Sequence, residues 1–286
     1  MNKFKRWLRL IAVILIIAAA LTVFIHWQNN SIEISRFEYS NPKIPDDFIG
    51  FTVVQVSDLH NKQFGPQQSG LIAKVESIEP DIIVITGDLI DRRRFNLDKA
   101  LSFIDGAVDI APIYFVSGNH EAWSGKYPLI RDSLTAAGVS VLDDRIVKLQ
   151  RGSGVIQLAG LSDPHFLTST YLEKTNLTGV VSSLEKWFRT EDFILLLAHR
   201  PELFELYSAY DIDLSLTGHA HGGQFRLLGL GGLYVPDQGL FPEYTSGRYD
   251  KNNSTMYVSR GLGNSVVPVR LFNRPEIIVV TFVPNQ

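Results

Sequence analysis

Seven histidines occur in the 286 residues, and five of them (His60, His120, His199, His219 and His221) stand just past strand-like runs, four of these beside Asn or Gly. Asp58-Leu59-His60 and His219-Ala220-His221 each carry two polar side chains two residues apart. On an extended segment such a pair leaves the backbone from one face and can clasp a single ion. The chain has no cysteine, so thiolate ligands and disulfides are excluded and any metal must be held by nitrogen and oxygen. Imidazole, carboxylate and amide oxygen are the donors that divalent transition metals accept under that restriction. One such histidine alone reads as an ordinary core or surface residue. Five in one periodic pattern read as a metal site.

The elements that must position them are strands ending on polar residues. Ile82-Ile83-Val84-Ile85-Thr86 is a β-branched run without polar alternation, as expected of a strand buried on both faces, and it ends in Gly87-Asp88. Phe51 to Val56 runs into Ser57-Asp58-Leu59-His60, Pro112 to Val116 into Ser117-Gly118-Asn119-His120, and Phe193 to Leu197 into Ala198-His199. Asp58 to Asp88 is 30 residues and Asp88 to Asn119 is 31, each about the length of one βαβ unit. A parallel sheet in that register puts these groups on one rim, at the strand carboxyl ends where α/β folds keep their sites. Glycines 218, 222 and 223 permit tight turns around the histidine pair.

Between these strands, helices are expected over Ser69 to Ile78, from Asn96 to about Gly106, over Lys126 to Ala137 and within Leu172 to Arg189. Ile32 to Phe37 alternates with period two and reads as an edge strand. Shorter strands are expected at Val139 to Leu142, Ile146 to Leu149 and Val155 to Leu158. Ile212 to Leu216, Met256 to Val258 and Ile277 to Phe282 complete the set, which predicts two sheets. The Gly229 to Gly232 stretch lacks the spacing of a phosphate-binding loop and reads as a turn.

Leu10 to Ile25 is sixteen residues without charge, flanked by Trp7 and Trp27 and preceded by Lys3, Lys5, Arg6 and Arg9. It comes close to the roughly 17–25 residues that cross a bilayer, with tryptophans at interfacial positions. The basic flank predicts a cytoplasmic amino terminus, with the rest of the chain outside. Ala18-Ala19-Ala20 could serve a signal peptidase, but the apolar run continues past it, which favours an uncleaved anchor. Removing the four amino-terminal cations from a net charge of −3 leaves −7, a balance that argues against a nucleic-acid partner.

Asp58-Leu59-His60, Gly87-Asp88, Gly118-Asn119-His120, His199 and Gly218-His219-Ala220-His221 resemble, in order and spacing, the motif set of the calcineurin-like metallophosphoesterases. The stretches Gly218 to Gln224 and Ser259-Arg260-Gly261-Leu262-Gly263 resemble the membrane-associated branch of that family. The resemblance implies an αββα sandwich with a two-metal site between the sheet edges. It implies one ion held by Asp58, His60, Asp88 and His221 and a second by Asp88, Asn119, His199 and His219, with Asp88 shared. A carboxylate between two dications offsets their repulsion, and a hydroxide formed on the pair would attack phosphorus in line with the leaving oxygen. Manganese, iron, zinc and cobalt all suit these donors.

The resemblance also gives His120 the task of stabilising the transition state or protonating the leaving oxygen, and Asp91 that of orienting its ring in the protonated form. Arg92 is expected to contact substrate phosphate, whereas Arg93 and Arg94 read as a solvated turn. His165 matches no ligand position and reads as a loop histidine. Glu121 stands where many relatives have Asp, a departure that leaves the ligands untouched.

The expected organisation is therefore an anchor at 1–27, a linker and edge strand at 28–50, and a metallophosphoesterase domain at 51–286. The expected activity is hydrolysis of a phosphodiester or pyrophosphate in a phosphorylated small-molecule, lipid or cell-envelope substrate. A non-catalytic metal-binding envelope module is the alternative.

Overall fold

The computed structural model describes residues 3–168, 176–187, 191–227, 231–235, 238–264 and 268–285. Helix α1 covers Lys3–Asn30, and strand β1 (Glu33–Tyr39) follows it. The first half then alternates β2 (Thr52–Val56), α2 (Ser69–Glu76), β3 (Ile82–Thr86), α3 (Leu97–Ala107), β4 (Ile113–Val116), α4 (Asn119–Trp123), α5 (Tyr127–Ala136) and β5 (Ser140–Val141). The second half supplies β6 (Arg145–Arg151), β7 (Gly154–Gly160), α6 (Thr178–Trp187), β8 (Ile194–Leu197), α7 (Phe204–Ala209), β9 (Leu214–Thr217), β10 (Gly247–Lys251), β11 (Ser254–Val258) and β12 (Glu276–Phe282).

Two six-stranded sheets result, in the orders β1-β12-β2-β3-β4-β5 and β10-β11-β9-β8-β7-β6. β2, β3, β4 and β5 are mutually parallel, as are β7, β8, β9 and β11. The run Ile82 to Ile85 shows why no polar alternation was needed. Ile83 and Ile85 pack into the core between the first sheet and helices α2, α3 and α5, whereas Ile82 and Val84 pack between the sheets. Consecutive side chains leave a strand on opposite faces, so a strand covered on both sides is apolar throughout. A third core lies between the second sheet and helices α6 and α7. The layers are thus helix, sheet, sheet, helix, the αββα arrangement expected.

The regular elements follow the sequence expectations to within a few residues, with β1 at a sheet edge. Helices α4 and α7 were not expected: they are five and six residues long, too short for a periodic apolar pattern. Of the glycine-rich stretch, Gly231–Gly232 pairs antiparallel with Arg226–Leu227, and 228–230 lie outside the described residues. Helix α6 occupies part of the Leu172 to Arg189 window, whose segments 169–175 and 188–190 also fall outside.

Gln28 to Ser31 reads as a linker in the sequence, but Gln28, Asn29 and Asn30 continue α1. The reason is tertiary: Asn29 Oδ1 accepts from the Arg270 amide at 3.1 Å and from Asn264 Nδ2 at 3.2 Å, and Gln28 Oε1 accepts from the Asn273 amide at 3.3 Å. Above this clamp, Phe4–Asn30 is the one helix among the described residues long and apolar enough to cross a membrane, and none of its apolar window is buried.

Candidate metal centre

Parallel pairing of β2, β3 and β4 brings Asp58, Asp88 and Asn119 to the carboxyl rim of the first sheet. β8 and β9 deliver His199 and His219 from the second. The chain turns abruptly where these strands end. Asp58, His60, Asp88, His219 and His221 all have positive φ, between 47° and 64°. That left-handed region costs a non-glycine residue energy, and such backbones persist where surrounding structure over-determines them, characteristically at functional sites. Gly87, at φ +87°, is needed for two reasons: a Cβ there would lie 2.6 Å from His199 Nδ1 and 2.7 Å from the Gly118 amide.

Two donor groups emerge. Asp58, His60, Asp88 and His221 place one donor atom each within 4.8 Å of one another, as do Asp88, His199 and His219, and all six residues are buried. Within the first group His60 Nε2 lies 3.0 Å from His221 Nε2, and His221 Nε2 lies 3.3 Å from Asp58 Oδ1. Within the second, His199 Nε2 lies 3.1 Å from Asn119 Oδ1. Asp88 belongs to both: its Oδ2 is 3.6 Å from His60 Nε2 and 3.4 Å from His199 Nε2.

The supporting contacts leave these donors turned inward. His199 Nδ1 donates to the Thr86 carbonyl at 2.8 Å, which fixes the ring with Nε2 turned toward Asp88 and Asn119. Asp58 Oδ2 accepts from Ser57 Oγ at 2.6 Å, and both its oxygens accept from the His219 amide at 3.1 and 3.2 Å. Asp88 Oδ1 accepts from the His120 amide at 2.7 Å. Nitrogen and oxygen donors thus crowd into a buried space, a donor set that fits divalent cations. Charge agrees: full burial opposes a proton on His199, yet the Asp88 and Asp58 carboxylates overcome it and push the ring up to about 10. The site demands positive charge.

His120 stands beside the first group, its ring 4.4 Å from that of His60. Its Nδ1 accepts from the Arg92 backbone N–H at 3.1 Å, whereas Asp91 Oδ1 is 3.7 Å away, beyond hydrogen-bond reach. Asp91 is instead occupied by the Arg93 amide at 2.9 Å and by Arg94 Nε and Nη2 at 3.0 and 2.9 Å. Burial, joined by His60 and Arg92 and opposed by Asp88 and Asp91, lowers the His120 ring to about 3, and with Nδ1 accepting from Arg92 N–H its proton sits on Nε2. Asp91 nonetheless stays within ion-pair distance of the ring and favours a proton on it, against the stronger effect of burial. The Arg92 side chain lies over the Trp123 ring at 4.7 Å.

Three residues matter here that sequence reasoning set aside. Glu121 is fully buried and accepts from the amides of Asp88 (2.8 Å), Gly118 (2.8 Å) and Ile90 (3.1 Å), tying the Asp88 and Asn119 loops together. Burial, with Asp88 beside it, raises its carboxyl to about 8. Arg200, also buried, donates to Asp163 Oδ2 at 2.6 Å and to His219 Nε2 at 2.9 Å, and His165 packs against the same guanidinium. His165 is therefore an internal residue of this cluster. Arg270 approaches His221 Nδ1 at 3.4 Å and, with Asn273 donating to the His221 carbonyl at 2.7 Å, backs the histidine pair. A charged residue directly after a ligand, as Glu121 and Arg200 nearly or fully are, was the available signal.

The calcineurin-like phosphoesterase family model matches residues 51–223. The metallophosphoesterase YkuE of Bacillus subtilis (strain 168) is 30% identical over 258 residues, covering 87% of this chain and 85% of that protein. A transmembrane protein with metallophosphoesterase domain from Danio rerio is 30% identical over 247 residues, 82% of this chain and 54% of that protein. The phosphodiesterase YaeI of Escherichia coli (strain K12) is 27% identical over 245 residues, 83% and 84% respectively. The family match spans every one of the inward-turned donors, and the chain belongs to the calcineurin-like phosphoesterases as a metal-dependent phosphoesterase.

Proposed function

We propose that the protein is a membrane-anchored phosphohydrolase with two divalent ions, cleaving a phosphodiester or pyrophosphate bond in a lipid-linked or cell-envelope substrate outside the cytoplasm. The observation that carries it is Asp88 Oδ2, one buried carboxylate oxygen standing between His60 and His199 of two separate donor groups. Asp58, His60, Asp88 and His221 would hold one ion, and Asp88, Asn119, His199 and His219 the other. Such a pair supplies Lewis acidity toward the phosphoryl oxygens and a water acidified to act at neutral pH.

The chain's own residues do the rest. Glu121 keeps the Asp88 and Asn119 loops at a fixed separation through the Asp88 and Gly118 amides. His120, with Nδ1 engaged by Arg92 N–H, presents its Nε2 proton as a hydrogen-bond donor to a phosphoryl or leaving oxygen. Arg92 would meet substrate phosphate from the Trp123 side.

The phosphodiester preference is supported by the name of the Escherichia coli relative. Anchoring is supported by the exposed apolar helix and by the Danio rerio relative. The basic amino-terminal flank favours a cytoplasmic amino terminus. Manganese-loaded protein should hydrolyse bis(p-nitrophenyl) phosphate, and Asp88→Asn should lower turnover by about 10³-fold or more while reducing bound metal. Unchanged turnover in that variant would remove Asp88 from the reaction.

A further inference from the structure

Next to the metal centre, and sharing His60 with it, is a second pocket of about 490 Å³. Its charged lining is Lys62, Arg94 and Lys99, and no Asp or Glu borders it among the described residues. Asp91 offsets Arg94 from behind, but neither Lys62 nor Lys99 forms an ion pair among the described residues. Helix α3 begins at this wall: Asn96, in the lining, caps it by accepting from the Lys99 amide at 3.1 Å. The positive end of an eleven-residue helix therefore adds to Lys99 and to Lys62, whose buried amine is lowered to about 7 with Arg270 nearby and would regain its charge beside an anion; Asp98 is the one acidic residue in the helix's first turn.

The pocket is also tied to the membrane-proximal end of the protein. Lys62 donates to the Asn29 carbonyl, in the last turn of α1, and its amine lies 4.9 Å over the Phe64 ring. Asn264, on another wall, donates to Asn29 Oδ1 at 3.2 Å. Trp27, two residues before Asn29, is 47% exposed, and tryptophans of spanning helices sit at headgroup depth. With α1 as the proposed anchor, the pocket opens beside the end of that helix, with His60 of the first donor group in its wall.

We infer that this pocket binds an anionic phosphate-class group of a lipid headgroup, so that the substrate presents two phosphates: the scissile one at the metals and a second at Lys62, Lys99 and Arg94. The inference rests on the proposed function in taking the metal centre as the place of the scissile phosphate and α1 as the membrane anchor.

Calorimetric titration of the metal-loaded full chain in uncharged detergent tests it, with three probes. These are dihexanoyl phosphatidylglycerol phosphate, which carries a diester and a terminal monoester, dihexanoyl phosphatidylglycerol, which carries the diester alone, and inorganic phosphate. The two-phosphate lipid should bind at least about tenfold more tightly than the one-phosphate lipid, an advantage that shrinks as salt screens the pocket. Lys62→Gln/Lys99→Gln should erase the advantage, and Lys62→Arg/Lys99→Arg should keep it. Equal binding of the two lipids by the wild type, or an advantage that survives the Gln pair, overturns the site. Inorganic phosphate matching the two-phosphate lipid, with the same lysine dependence, overturns the headgroup assignment. If the Gln pair fails to fold, the salt dependence and the Arg pair still decide. Absence of turnover on an aryl phosphodiester would defeat the proposed function while leaving this binding comparison intact.

Discussion

Glu121 concentrates the cost of building this centre into one side chain. It is buried, it shares its surroundings with Asp88, and it takes three main-chain N–H donors from two loops. Three main-chain donors hold the carboxyl in place, while burial and Asp88 raise its hold on a proton to about 8. Glu121→Ala would strand those amides at about 1–3 kcal/mol each, part of it recovered by water. The expected loss is about 3 kcal/mol in urea unfolding, accompanied by weaker metal binding. A loss below about 0.5 kcal/mol would show that the loops hold their spacing without it.

Among elements, the strand-to-loop junctions carry most of the functional geometry. After β9 the chain passes Gly218 so closely to the first sheet that an added Cβ would collide with Ser57 Oγ and lie 2.5 Å from Asp58 Oδ2. Gly218→Ala should therefore displace the Asp58 carboxylate and weaken metal binding by about 10- to 100-fold, measured by chelator competition, with secondary structure by circular dichroism intact. Equal affinity would mean that the two sheets can separate locally.

The junction after β5 gives a pH signature. Asp143 accepts from the Ser117 amide at 2.9 Å and from the Tyr127 hydroxyl, and burial raises its carboxyl from 3.8 to about 6. An acid whose folded pKa exceeds its unfolded one binds its proton more tightly when folded. Its stabilising effect is therefore full below 3.8 and lost as pH rises to about 6. Asp143→Asn should lack that decline, so its urea-unfolding free energy should gain on the wild type between about pH 4 and about pH 6. Parallel pH profiles would rule this out.

For the molecule as a whole, the question is where the apolar amino-terminal helix stops and the folded domain starts. Gln28 and Asn29 belong to α1 by backbone but to the domain by contact, through Asn264, Arg270 and Asn273. Arg270 in turn supports the His221 ring. A chain starting at Gln28 should leave the membrane fraction and keep turnover on a soluble aryl phosphodiester. A chain starting at Glu33 should lose several degrees of melting temperature, about 2–4 °C per kcal/mol of lost contact at this size, and bind metal less well. Identical melting of the two truncations would show that the clamp contributes nothing.

The sequence determined by itself which residues could ligate and where strands end, because both are local. β-Branched runs, glycine turns and two-residue spacings read directly as buried strands and paired donors. It also determined the layer count, since strands without polar alternation need cover on both faces. Packing decided the contacts between residues far apart in the chain. Asp58 accepts from an amide 161 positions away, and Asn29 meets partners 235 and 241 positions away. Neither periodicity nor composition encodes such distances. Asp91 shows both kinds of contact: its bonds to Arg93 and Arg94 are local, whereas its 3.7 Å approach to the His120 ring depends on packing. Glu121, Arg200 and Arg270 took their places as buried supports only once the two sheet rims had been brought face to face, where each buried charge must find its partners or be expelled.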